Sequence, residues 1–268
     1  MIHEGPAEVL ALTENTQPVM LTAAIAVYRA WLAKGGQVPN VLAGHSLGEY
    51  TALVAAGAIG FSDAVPLVRF RAQSMQNVVP VGEGGMAAIV GLEDDAVRKL
   101  CQESQDATSK VVEAVNFNAP SQVVIAGHQA AVEYACANAK AAGARMAVPL
   151  PVSAPFHSSL LKPAADQLRE YLTKVSIVEP GIPVINNVDV MVMTDPNGVK
   201  DALIRQAYSP VRWVETIQAM AKDGVTHVVE CGPGKVLSGM VKRINPEIKI
   251  LSISDPQSIE TVLAELKV

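Results

Sequence analysis

The segment Val41-Leu42-Ala43-Gly44-His45-Ser46-Leu47-Gly48-Glu49-Tyr50 reads as strand, sharp turn and helix. An apolar run with the character of a buried strand meets Gly-x-Ser-x-Gly, and an apolar pattern of helical period (Tyr50, Leu53, Val54, Gly57) begins just beyond. This is the context of a nucleophile elbow, in which a serine sits on a strained strand-to-helix turn. Gly44 and Gly48 lack side chains where strand and helix would crowd, so Ser46 can be held with its hydroxyl projecting at a helix N-terminus. The unpaired N–H groups there would face any oxyanion that forms. A plainer reading makes Ser46-Leu47-Gly48-Glu49 a capping box, with Glu49 reaching back to the Ser46 backbone. Capping alone explains neither glycine.

Working outward, 268 residues allow a substantial core, as one large domain or a large and a small one. Half the residues are hydrophobic but only 4% are aromatic, a composition suited to an α/β protein packed with aliphatic side chains. A net charge of −5 and a pI near 5.6 leave no basic stripe for nucleic acid. The opening residues Met1-Ile2-His3-Glu4-Gly5-Pro6 lack an apolar signal region, and no run approaches membrane-spanning length. Cytoplasm is the expected compartment, with no membrane partner. Cys101, Cys136 and Cys231 are far apart, without ligand or redox spacing, and are expected to be reduced buried thiols.

Upstream of the elbow, Thr16-Gln17-Pro18 is expected to cap a core helix running to about Lys34. Downstream, Phe61-Ser62-Asp63 starts a helix through about Gln76 that carries Arg69 and Arg71 in an apolar setting. These lie about 200° apart on a helix, so at most one can face a cleft, and both could be solvated. The glycine-rich Pro80–Gly85 segment divides the chain. Beyond it the pattern predicts strand 86–92, helix 94–105, strands 110–116 and 122–127, helix 130–142 and strand 145–152. The order βαββαβ over about 70 residues is that of a ferredoxin-like unit. Residues 85–154 are therefore expected to be a small subdomain set into a large one made of 1–84 and 155–268. The glycine-rich segment lacks the Gly-Lys-Ser/Thr ending of a phosphate loop.

His157 precedes a helix expected to reach about Lys174 and is the best candidate base by elimination. His3 is terminal, His45 belongs to the elbow, and His128 and His227 lie at the end of one apolar run and within another. Residues 183–188 and 225–230 read as further strands of the main sheet. The second is followed by Gly232-Pro233-Gly234 and a helix with Lys235, Lys242 and Arg243, suited to an acidic partner or to a solvated face.

Gly-His-Ser-Leu-Gly-Glu at 44–49, Arg71, Asn116-Phe117-Asn118, Val152-Ser153-Ala154-Pro155-Phe156-His157, Arg205-Gln206 through Pro210-Val211-Arg212-Trp213, and Glu230-Cys231-Gly232-Pro233-Gly234-Lys235-Val236-Leu237 occur in one order along the chain. In that order they resemble the malonyl-CoA:acyl-carrier-protein transacylases of bacterial fatty acid synthesis. The resemblance implies an α/β-hydrolase-like parallel-sheet core with an inserted ferredoxin-like subdomain. It also implies acyl transfer from malonyl-CoA to acyl carrier protein through a seryl ester, without a metal or bound cofactor. It assigns attack to Ser46, proton transfer to His157, orientation of His157 to the backbone carbonyl of Gln206, and an oxyanion N–H to Leu47. Arg71 would pair with the free carboxylate, with Gln17, Asn116 and Asn118 in the substrate site. The family's opening strand, ending in Gly-Gln-Gly-Ser, has no counterpart ahead of Ser46. This leaves a late-assigned start or a truncated, impaired carrier-protein-binding copy as one alternative, and a serine thioesterase or esterase as another.

Overall fold

A computed structural model describes residues 5–152 and 154–266; Ser153 of the quoted motifs and the opening residues 1–4 lie outside them. The chain begins with α1 (Ala7–Leu10), α2 (Thr13–Ala33), β1 (Leu42–Ala43), α3 (Leu47–Ala55) and α4 (Phe61–Asn77). It continues with β2 (Gly84–Val90), α5 (Asp94–Thr108), β3 (Val112–Ala119), β4 (Gln122–His128), α6 (Gln129–Ala139) and β5 (Met146–Pro149). A 3-10 turn, Ser159–Leu161, leads into α7 (Lys162–Leu172), β6 (Val184–Ile185), α8 (Pro196–Gln206) and α9 (Trp213–Lys222). Last come β7 (His227–Cys231), α10 (Val236–Ile244), β8 (Lys249–Ile253) and α11 (Pro256–Leu266).

Among the described residues β1 pairs with β6 in parallel, Leu42 opposite Val184, and β7 pairs with β8 in parallel. Around β1 and β6 the largest core gathers Leu21, Ile25, Tyr50, Leu53, Leu67 and Leu168, so α2, α3, α4 and α7 all bury a face there. A second core joins Ile185 and Ala43 to Val228, Ile250, Trp213 and Val241, tying both parallel pairs to α9 and α10. The strands of these pairs are shorter than the runs 183–188 and 225–230 suggested. Helix α2 starts at Thr13, with Pro18 inside it, which corrects the expected cap at Thr16-Gln17-Pro18. Pro18 is the sixth residue of α2, past the first turn where a missing N–H is free, and the helix is opened earlier by the Asn15 and Thr16 backbone N–H groups, which donate to Leu12 O at 2.8 Å.

Residues 84–149 build a four-stranded antiparallel sheet of order β3-β4-β2-β5. Alternation puts Ala87, Ile89, Val123 and Ile125 on the face covered by α5 and α6, where they meet Val97, Leu100 and Val132. Met86, Val124 and Ala126 on the other face pack with Leu150 and Phe156. Of the glycine-rich segment expected to divide the chain, Gly84 and Gly85 belong to β2 itself; a Cβ at Gly85 would come within 2.1 Å of the Gln129 side chain. From β3 the sheet reaches the rest of the chain, because Phe117 N–H donates to Val211 O (3.0 Å) and Val211 N–H to Val115 O (2.8 Å). Of the three free cysteines only Cys101 is fully buried; Cys136 and Cys231 are partly exposed, which corrects the uniform expectation. No helix among the described residues is long and apolar enough to cross a membrane.

Candidate active site

The turn between β1 and α3 is set by sterics. Ser46 adopts φ 53°, ψ −108°, a left-handed backbone that costs a non-glycine residue about 1–3 kcal/mol. A Cβ on Gly44 would stand 1.9 Å from the Gly48 carbonyl carbon, so position 44 must be glycine for α3 to fold back over the strand. Gly48 differs: a Cβ there meets nothing within 4 Å, and crowding explains only the first of the two glycines. The capping box is also overturned. Ser46 makes no side-chain cap, because its hydroxyl lies 2.7 Å from His157 Nε2. Glu49 turns inward, its Oε2 accepting from Asn187 N–H (2.9 Å) and Gln206 Nε2 (2.8 Å).

His157 comes from the loop ahead of the 3-10 turn, is buried, and itself has φ 66°. Its Nδ1 lies 2.8 Å from the Gln206 carbonyl oxygen, which can only accept. Nδ1 therefore carries the proton and Nε2 presents its lone pair to the Ser46 hydroxyl. Burial, followed by the nearby Arg71 cation, pushes the imidazole down to about 3, so at neutral pH it is the uncharged form that a general base requires.

Arg71 projects from α4 into the same site and is 2% exposed, whereas Arg69 points to solvent. Helical period had left that choice open. Nη1 donates to Gln17 Oε1 (2.7 Å) on α2, and Nη2 donates to Ser46 Oγ (3.0 Å) and Gln206 Oε1 (2.8 Å). The guanidinium carbon lies 5.2 Å from the Tyr50 ring centroid. Arg71 Nε is buried with no hydrogen-bond partner among the described residues. A planar, buried cation is thus held beside the hydroxyl by neutral amide oxygens, with no carboxylate of the described residues bonded to it, which suits it to receive an acid from outside. Ser46 itself is only partly buried. Leu47 is the first residue of α3, so its N–H has no intrahelical acceptor and stands beside the hydroxyl's own residue.

Asn118 reaches the site at one remove, its Oδ1 2.8 Å from His45 Nε2, and His45 in turn meets the Trp213 ring edge-on. Asn116 makes no hydrogen bond to this cluster among the described residues; it bridges to Val211, and its buried Nδ2 is unpartnered. Lys235, Lys242 and Arg243 are exposed, and Arg243 donates to Pro120 O (2.9 Å) in the turn between β3 and β4. Sequence reading missed Asn187, whose Oδ1 accepts from Ser46 N–H (2.8 Å) while Nδ2 donates to Gly44 O (2.7 Å). The one available signal is a polar Asn186-Asn187 pair at the carboxyl end of parallel strand β6, where open α/β sheets carry their sites.

The family model described as an acyl transferase domain matches residues 1–259. Over 265 residues the chain is 51% identical to the malonyl CoA-acyl carrier protein transacylase of Salmonella typhimurium, covering 99% of this chain and 85% of that protein. The chain belongs to the malonyl CoA-acyl carrier protein transacylase family. The Bacillus subtilis transacylase is 48% identical over 267 residues, covering 100% of this chain and 84% of its own length. The crystal structure of the Burkholderia pseudomallei acyl-carrier-protein S-malonyltransferase superposes with a TM-score of 0.95 at 64% identity, covering 97% of this chain and 84% of that one. A malonyl-transacylase solved with its type II polyketide acyl-carrier protein matches at 0.95 and 45% identity, covering 98% and 84%. The α/β architecture expected from sequence is the one these transacylases have.

Proposed function

We propose that this transacylase moves a malonyl group from coenzyme A to the phosphopantetheine thiol of acyl carrier protein through an ester on Ser46. The observation that carries the reading is the shared hydroxyl: Ser46 Oγ lies 2.7 Å from the His157 base and 3.0 Å from the buried Arg71 cation. A nucleophile next to an anion receptor fits an acyl group that ends in a carboxylate, and the names of the relatives agree.

Ser46 Oγ attacks the thioester carbonyl while His157 Nε2 takes its proton, and the developing oxyanion turns toward the Leu47 N–H. Collapse expels the coenzyme A thiolate, which recovers the proton from His157. In the second half His157 deprotonates the carrier thiol, which attacks the ester, and the departing Ser46 oxygen takes that proton back from His157. Arg71 pairs with the malonyl carboxylate by exchanging Gln17 Oε1 and the Ser46 oxygen for charged oxygens, while Gln206 Oε1 keeps its hold on Nη2. Every proton transfer here is assigned to side chains, so we propose no bound cofactor; coenzyme A enters only as part of the substrate. A cytoplasmic setting fits the three free cysteines and the thiols of Cys101 and Cys231, pushed up to about 12 by burial.

Mass measurement of the intact chain after incubation with malonyl-CoA tests this. An adduct that is absent in Ser46→Ala and discharged by holo carrier protein supports it. Hydrolysis outrunning transfer would make the protein a thioesterase, and carrier-protein binding with no adduct would make it a non-catalytic binding protein.

A further inference from the structure

Glu49 is a buried carboxyl, 2% exposed, that the reaction scheme leaves unused. Its Oε2 accepts from two donors that lead to different parts of the site, Asn187 N–H and Gln206 Nε2. The Asn187 side chain receives Ser46 N–H and donates to Gly44 O, so one amide brackets the strained turn. Gln206 Nε2 also donates to Ser46 O (3.0 Å), its Oε1 receives Arg71, and its backbone carbonyl receives His157 Nδ1.

Charged or neutral, a carboxyl can offer Oε2 as a pure acceptor. It therefore selects the NH2 end of Gln206 and turns that residue's Oε1 to Arg71. The reversed amide would set donor against donor at Arg71 and acceptor against acceptor at Glu49. We propose that Glu49 is a positioning residue, which from one oxygen fixes the Ser46 turn through Asn187 and the Arg71–His157 pair through Gln206. This rests on Ser46 and His157 being the reacting pair of the proposed function. A carboxyl that only filled a polar gap in the core would affect stability and leave the reactivity of folded molecules alone.

The test is the rate at which phenylmethanesulfonyl fluoride esterifies Ser46, followed by intact mass with a thermal melt alongside. The reagent needs an activated serine but neither thioester nor carrier protein, so failure of the malonyl assignment and failure of this inference are told apart. Glu49→Asp keeps a carboxyl but withdraws it by one methylene, and slows sulfonylation between about tenfold and a hundredfold in folded protein. Glu49→Gln keeps an acceptor at full reach and stays within about threefold of wild type. Should the aspartate variant not fold, Gln206→Met retains the backbone carbonyl for His157 but cannot answer Glu49, and shows the same slowing. Wild-type rates in folded Glu49→Asp or Gln206→Met, a glutamine variant as slow as the aspartate one, or a wild-type Ser46 inert to the reagent would each overturn the inference.

Discussion

Arg71 Nη2 donates to Ser46 Oγ across 3.0 Å, so cation and nucleophile are spaced to hold the two ends of one short acyl group. Replacing Arg71 by alanine removes the partner of a desolvated carboxylate, a loss of about 2–5 kcal/mol in malonyl transfer kcat/KM. Lysine recovers only part of this, because one ammonium cannot make the bidentate pair. Acetyl-CoA, which has no carboxylate to lose, should be affected far less, so the malonyl-to-acetyl preference collapses. Steady-state rates on both thioesters check it; an unchanged preference in Arg71→Ala would remove the anion-receptor role.

The elbow was legible because its sterics are local: Gly44, Ser46 and the helical pattern lie within a few residues, and only glycine fits under the first turn of α3. Period alone could not choose between Arg69 and Arg71, since a helix offers several faces and only packing against α2 and α3 buries one. Glu49 was visible but its role was not, because a capping box and an inward carboxyl share the same local spacing and differ only in distant partners. Asn187, 141 residues from Ser46 in sequence, left no trace beyond the polar Asn186-Asn187 pair, and its role appears only when β6 comes to lie beside β1. The Gln206 carbonyl was named through family resemblance; no side-chain pattern marks a backbone acceptor.

Burial moves two groups in opposite directions, His157 down to about 3 and Glu49 up to about 7. Unfolded His157 returns to its ordinary 6.5, so its contribution is whole above 6.5 and is lost as pH falls toward 3. Unfolded Glu49 returns to 4.5, so its contribution is whole below 4.5 and is lost as pH rises toward 7. The slopes oppose each other between 4.5 and 6.5. Glu49→Gln removes the falling one, and its melting temperature should therefore climb more steeply with pH across that interval than wild type. Parallel curves in the two proteins would contradict the assignment.

The two elbow glycines should separate cleanly. Gly44→Ala drives a methyl into the Gly48 backbone at 1.9 Å and should cost at least about 1–3 kcal/mol of stability together with Ser46 reactivity. In Gly48→Ala the methyl meets no atom within 4 Å, and alanine gains about 0.5–1 kcal/mol in a helix. The expected result is a melting temperature at or above wild type for position 48 and a lowered one for position 44. Equal losses at both positions would show that open space at Gly48 is filled in the working protein.

Asn187 donates and accepts at once, and that allows a test by protonation. In Asn187→Asp the ionised carboxylate still accepts Ser46 N–H but presents a lone pair to Gly44 O, where the amide had offered a hydrogen, and it adds a charge near Glu49. An unmade buried hydrogen bond of this kind costs about 1–3 kcal/mol, more when charge is involved. A protonated aspartic acid, by contrast, has a hydroxyl for Gly44 O and a carbonyl for Ser46 N–H, the same pattern as asparagine. Burial beside Glu49 favours that neutral form. Measured as the ratio of variant to wild-type Ser46 acylation, Asn187→Asp should be nearly inactive near pH 8 and recover as the pH is lowered toward about 5, where His157 remains uncharged and able to act as base. A ratio that stays flat across this range would mean that the Ser46 turn does not depend on the Asn187 amide.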